Sequence, residues 1–241
     1  MPHEAANLPD RPEGDAECAL ESATRHLRAS PPPTGASQAR GREILRGRQE
    51  RDLLAWAREN GCLIDPSVYL PRIEDAGEEH RVWLDVPTQR YFKVTHAGRF
   101  GFAVIALPDG LADLTAATPL EYFERLLLNN SIFNDDLRIE GVASEKGSAT
   151  VLTSQPNISG VEVSADEMLT FMAKLWFKPL TGLALGRPGA LAFYRDLDEV
   201  AAFDAHPGNF VKDDNGVVLP IDLILLRTDE AMQKALAKHL A

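Results

Sequence analysis

Cysteine is nearly absent from this chain, and long apolar runs are absent altogether. Cys18 and Cys62 stand far apart and form no C-x-x-C pair, so neither a zinc site nor a dithiol redox motif is indicated, and both read as reduced thiols. No apolar segment approaches the length that spans a bilayer and no signal peptide opens the chain, which sets the expectation of a cytoplasmic protein without a membrane partner. Positive charge is also short: 25 Lys and Arg face 36 Asp and Glu, and the net charge of -11 argues against a nucleic-acid-binding surface. There is no G-x-G-x-x-G string and no internal repeat. What remains is a 241-residue chain of globular composition, enough for one ordinary domain or a small two-lobed one.

Residues 1–41 are rich in Pro, Ala, Ser, Arg and Glu and include the run Pro31–Pro33, so they read as a tail or linker with room for a short helix from Ala16 to Leu27. Residues 42–75 form a lead-in. Its apolar Ile44, Leu45, Leu53, Leu54, Trp56 and Ala57 recur at helical intervals from Arg42 to Asn60, and Gly61 follows as a stop. Residues 76–157 look like a first lobe. Strands are expected over Val82–Val86 and Tyr91–Thr95, then a further strand or covering segment over 100–107, then loop in LPDGLADLTAA. Thr118-Pro119-Leu120-Glu121 combines an N-cap, a first-turn Pro and a capping-box Glu, opening a helix to about Phe133 with Leu120, Phe123, Leu126 and Leu127 inward. Two antiparallel strands follow around Glu145-Lys146-Gly147. Residues 158–241 begin with a helix capped by Ser164 and Glu167 and closed before Pro179, and end in short strands. The fold class is therefore α+β with antiparallel sheet.

The richest segment is FDAHPGNFVKDDNGVVLPIDLILL. Asp204 and Asn209 bracket a tight His206-Pro207-Gly208-Asn209 turn, and Asp222 follows a polar hairpin. Chance supplies about 0.6 Asp-x4-Asn pairs in such a composition, but about 0.04 once an Asp at the Asp222 spacing is also required. The arrangement is strand, turn, strand, turn, strand, with the three polar groups at one end. Phosphoryl transfer of the kinase type uses this set: one Asp orients the acceptor hydroxyl, while an Asn and a second Asp hold metal against the nucleotide phosphates. The alternative is a hairpin of ordinary turn formers with solvated carboxylates.

Such chemistry also needs a strand lysine for the phosphates and a helix glutamate to pair with it. Lys93, between Phe92 and Val94, has the setting, although a lysine guarding an edge strand would look similar. Glu124 lies nearer the buried face of its helix than Glu121, which has the capping role, so Glu124 is the expected partner and Glu121 the alternative. The phosphate-covering loop falls in IEDAGEEHRV with only Gly77, and Gln155 and Pro156 fall where a hinge would meet adenine. His206 stands where it can donate to the transferring group or bond to its own turn. His80 and His96 have no ligand spacing and are not assigned to metal.

The strings EEHRVWLD, RYFKVTHAGRFGF, TPLEYFERLLLNN, TSQP, FDAHPGNFVK and PIDLILL together resemble the kinase-like domain of bacterial and phage polyvalent proteins, over about residues 50–230. The resemblance implies a reduced protein-kinase-like fold, ATP and Mg2+ as cofactors, Lys93 on the phosphates, Asp204 as catalytic base, and Asn209 and Asp222 on metal. The DAHPGN string also looks like the aminoglycoside phosphotransferase branch, where His follows the catalytic Asp by two. Departures are a degenerate Gly-rich loop, Asp222-Leu223-Ile224 in place of Asp-Phe-Gly, and only a short helix after Asp222. The residues left do not accommodate an activation segment or a peptide-docking helical bundle. The expectation is an ATP-dependent phosphotransferase acting on a hydroxyl acceptor, protein or small molecule. The alternative is a pseudokinase, a nucleotide-binding or interaction module in a mobile-element-associated protein.

Overall fold

The computed structural model describes residues 13–31 and 38–240; the rest of the expected N-terminal tail, including Pro32 and Pro33, lies outside them. In chain order the elements are α1 (Glu13–Arg28), α2 (Gln38–Glu59), β1 (Asp75–Ala76), β2 (His80–Asp85), β3 (Arg90–Thr95), β4 (Phe102–Ala106) and β5 (Ala112–Ala116). There follow α3 (Pro119–Phe133), β6 (Arg138–Glu145), β7 (Ser148–Pro156), β8 (Gly160–Glu162), α4 (Ala165–Lys174), β9 (Lys178–Pro179) and β10 (Leu191–Arg195). The last are β11 (Val200–Ala205), β12 (Phe210–Asp213), β13 (Val218–Pro220), β14 (Ile224–Arg227) and α5 (Glu230–Ala237). The class is mixed α+β with antiparallel sheets. Among the described residues no helix is long and apolar enough to cross a membrane.

The chain divides into two compact units. The first holds the described residues up to Gly101 with Ala116–Asn130 and Asp135–Asn157; the second holds Phe102–Thr115, Ser131–Asn134 and the chain from Ile158 onward.

The first unit is built on a five-stranded antiparallel sheet, in the order β1-β2-β3-β7-β6. Alternation along β2 and β3 sends Trp83, Phe92 and Val94 to one face, where they join Ile64, Tyr69, Ala143 and Leu152 in a core. Trp83 and Phe92 are direct register partners and stack at 5.0 Å. The β6–β7 turn places Lys146 and Gly147 both at positive φ, the backbone of a tight type I′ hairpin. Within the expected tail, the short helix allowed over Ala16–Leu27 forms as α1: Leu20, Ala23 and Leu27 share one stripe and are fully buried, and the helix packs on α2 and β6. Within α2 the predicted Leu53, Trp56 and Ala57 are buried, whereas Ile44 is exposed. Gly61 follows with φ 65, the conformation of a helix-ending glycine. The capping box of α3 forms as expected: Glu121 accepts from the Thr118 N–H at 2.7 Å and Thr118 Oγ1 accepts from the Glu121 N–H at 3.3 Å.

Inside this unit Glu145 gathers charge and hydroxyl. Arg81 donates to its two oxygens at 2.6 and 3.1 Å and the Tyr69 hydroxyl donates at 2.5 Å. Burial pushes the Glu145 carboxyl up, but the bonds from Arg81 and Tyr69 and the Arg81 charge outweigh it and leave it below its ordinary 4.5. A carboxyl depressed on folding stabilises fully above its unfolded value and loses that contribution as pH falls through the lower folded one. Glu145→Gln is therefore expected to lower the thermal midpoint at pH 7 and to flatten its acid decline below pH 4.5, read from thermal unfolding across a pH series.

In the second unit, the sheets β14-β11-β10-β9 and β13-β12-β8 are both antiparallel. Phe203, Tyr194, Ile224, Met232 and Leu236 centre its core with Val104 of β4. The segment read as loop is a second strand, β5, paired with β4. Its turn closes by the Leu107 N–H donating to Leu111 O at 2.7 Å, with Gly110 at φ 79. The short β5 sequence Ala-Asp-Leu-Thr-Ala is too polar to announce a strand, and pairing rather than propensity makes it one. The Ser164–Glu167 capping box opens α4 as expected, and Lys212 adds an ion pair at 2.6 Å to Glu167.

Candidate functional site

Two strand registers bring the predicted trio together in the second unit. β11 pairs with β14 through Phe203 and Ile224, so Asp204 continues alongside Leu223, the neighbour of Asp222. β12 pairs with β13 through Phe210 and Pro220, and the ladder extends one step as the Ile221 N–H donates to Asn209 O at 2.9 Å. The strand registers thus bring the Asp222 main chain next to both ends of the Asp204–Asn209 turn.

The turn itself is tied across. The Asn209 side-chain amide donates to Asp204 O at 2.9 Å and reaches the Asp204 carboxylate at 3.5 Å, and the Asn209 N–H donates to His206 O at 2.9 Å. The amide nitrogen faces Asp204, so Asn209 Oδ1 is left as a hard oxygen donor, without a hydrogen bond among the described residues. Asp204 sits at φ 56, a left-handed backbone that Asp tolerates better than most residues. His206 caps the turn in extended conformation, with Gly208 packed against its ring.

A segment that sequence reading passed over fixes the Asp204 carboxylate. The Asp204 N–H donates to Leu185 O at 3.2 Å, and the Arg187 N–H donates to Asp204 Oδ1 at 2.6 Å. Gly186, between them, has φ 103, and a Cβ there would stand 2.6 Å from Asp204 Cγ. The Pro188-Gly189 dipeptide is a turn former, but only the fold shows what the turn touches. Gly186→Ala is expected to cost about 1–3 kcal/mol of stability from backbone strain plus the carboxylate clash. Gly182→Ala, at φ 73 with nothing within 4 Å, carries the backbone part alone and is the control in chemical denaturation.

The remaining candidates lie in the first unit. Lys93 is on β3, an interior strand between β2 and β7, with Val82 and Thr153 as register partners; an edge-guarding role is removed. Gln155 shares its face of the sheet, being opposite Tyr91 two residues on. Gln155 is buried and Pro156 ends β7 opposite Arg90, while β6 reaches no further than Ser154. Glu124 forms its ion pair with Arg28 at 2.9 Å, and Glu121 binds Arg42 through both oxygens, at 2.7 and 2.8 Å. Helix α3 turns two polar residues inward that the apolar pattern did not suggest: Arg125, paired with Glu79 at 2.8 Å, and Asn129. The Gly77 main chain is used locally, its N–H donating to His80 O at 2.7 Å and its carbonyl bonded by His96 Nε2 at 3.0 Å. His80 is bonded to the Tyr122 hydroxyl at 3.1 Å.

No group of three His, Cys, Asp or Glu side chains suited to a metal occurs among the described residues. The oxygen the turn leaves open is Asn209 Oδ1, with Asp222 beside it in the strand registers. That set is too small to cage a metal alone, but it fits Mg2+, which takes one or two protein oxygens and completes its shell with phosphate and water. Comparison with protein-family models, with curated proteins and with solved structures finds no match for this chain.

Proposed function

We propose that this chain is an ATP-dependent phosphotransferase of the protein-kinase-like type, which moves the γ-phosphoryl group of Mg-ATP to a hydroxyl acceptor. The observation that carries the reading is the Asp204–Asn209 bond across the His206–Asn209 turn, with Asp222 brought beside it by the β11–β14 and β12–β13 registers. The sequence resemblance to the polyvalent-protein kinase-like domain, carried in part by the same residues, also supports it.

In this reading the Asp204 carboxylate accepts the hydrogen of the acceptor hydroxyl and orients it for in-line attack; the Arg187 and Asn209 N–H groups hold that carboxylate in one pose. Asn209 Oδ1 and Asp222 would hold Mg2+, which supplies neutralisation of the phosphate charge. His206 donates to the transferring group; the roles expected of Lys93, Gln155 and Pro156 belong to the first unit, where Lys93 and Gln155 share a face of the sheet.

A second reading, a nucleotide-binding module without turnover, is favoured by Gly77: its N–H is taken by His80 O and does not face outward to a phosphate. Thermal unfolding with ATP and Mg2+ together, against each alone, tests the shared premise, since a ligand that binds only the native state raises its stability. About 2.7 kcal/mol is expected at a hundredfold excess over Kd. No shift would remove both readings; a shift without turnover would select the second.

A further inference from the structure

We propose that Arg187 forms a phosphate subsite beside the Asp204 carboxylate, a specificity element of the phosphotransferase site on whose reading it rests. Arg187 opens the turn Arg187-Pro188-Gly189-Ala190, with Pro at the second position, Gly189 at φ 85 at the third, and the Ala190 N–H donating to Arg187 O at 2.9 Å. These are the marks of a type II turn, which fixes the backbone on the C-terminal side of Arg187. On the N-terminal side its own N–H is fixed on Asp204 Oδ1. The residue is thus anchored in two directions while its side chain is exposed.

The guanidinium lies over the His206–Asn209 turn: a Cβ on Gly208 would stand 3.9 Å from Arg187 Nη1 and 3.2 Å from the His206 ring. The glycine leaves that floor open between an arginine and a histidine. Arg81, Arg90, Arg138 and Arg195 each spend their guanidinium on a carboxylate of the fold. That of Arg187 makes no hydrogen bond or ion pair among the described residues, in a chain of net charge -11. A backbone-anchored, unspent guanidinium next to a base carboxylate is a preorganised fork for a planar or tetrahedral oxyanion, and phosphate fits it bidentately. In the phosphotransferase reading this phosphate is the transferring group of the nucleotide, or one carried by the acceptor a few bonds from its hydroxyl, and inorganic phosphate is the smallest probe of the same fork.

The test is a titration of the 15N-labelled full chain with inorganic phosphate. Saturable shifts are expected at the Arg187 side-chain N–H and the Gly208 amide. Arg187→Ala should weaken binding at least tenfold, and Arg187→Lys, which keeps charge and loses the fork, should fall between. Absence of saturable shifts at both positions, or an Arg187→Ala chain that titrates like the wild type, would overturn the subsite. Unchanged thermal midpoints show that the variants are folded. Repeating the titration in excess Mg2+ and a non-hydrolysable ATP analogue separates the sources: displacement of phosphate assigns the subsite to the nucleotide's transferring group, and retention assigns it to the acceptor. ADP release that depends on Asp204, measured on the same samples, reports separately on the phosphotransferase reading. Phosphate binding without ADP release retires that reading and not the subsite; ADP release without phosphate binding does the reverse.

Discussion

Asp204→Asn is expected to lower phosphoryl transfer by about 10²–10⁴-fold, the contribution of a positioned general base, with the thermal midpoint within about 3 °C of wild type. The substitution comes close to isolating chemistry because Asn meets most of the same structural demands, losing only the 3.5 Å contact from the Asn209 amide. It also tolerates the left-handed backbone that Asp204 adopts at φ 56. Its amide oxygen still accepts from the Arg187 N–H, and its main-chain carbonyl still accepts from Asn209. What it cannot do is take a proton. Asp204→Ala, by comparison, removes the accepting oxygen and puts a less tolerant residue in the strained conformation, so it should lose stability as well. The pair of variants separates a residue that holds the turn from one that works in it. Steady-state turnover and thermal unfolding on both give the answer.

Asp222→Ala is expected to abolish the part of the ATP stabilisation that depends on Mg2+ and to reduce transfer by at least about a hundredfold, as loss of a charge-stabilising group does. Asp222 is exposed and follows the β12–β13 ladder, so its removal leaves the neighbouring main-chain bonds, including Ile221 to Asn209, in place. The stabilisation by ATP with Mg2+ should then fall to that given by ATP without it. If Asp222 were only a solvated turn carboxylate, the full Mg2+ increment would survive.

Much of this architecture is written in local rules. The capping boxes of α3 and α4, the β2–β3 and β6–β7 hairpins and the Gly61 stop each depend on a few adjacent residues, and the spacing of Asp204, Asn209 and Asp222 follows from two such hairpins. The features that escaped reading are tertiary. The Pro- and Ser-rich segment allowed a short helix at α1 but not its packing: Leu20, Ala23 and Leu27 bury fully as α1 lies on α2 and β6. Through α1 comes Arg28, which holds the glutamate that periodicity had selected for Lys93. Periodicity could rank Glu124 against Glu121 on their own helix, but it could not see charges arriving from α1 and α2. Strand β5 escaped because its pairing, and not its composition, makes it extended. Gly186 and Arg187 escaped because a Gly-rich loop has many uses, and contact with Asp204 is set by the closure of β10 on β11.

The most direct measurement is the fate of label from ATP labelled at the γ-phosphate, incubated with the purified chain and Mg2+. The phosphotransferase account predicts that wild-type protein moves the label to itself, an added hydroxyl acceptor or water. It predicts no movement of label placed at the α-phosphate, and near-complete loss of the γ-signal in Asp204→Asn. Label that stays on ATP with wild-type protein, or that moves equally with Asp204→Asn, would contradict it.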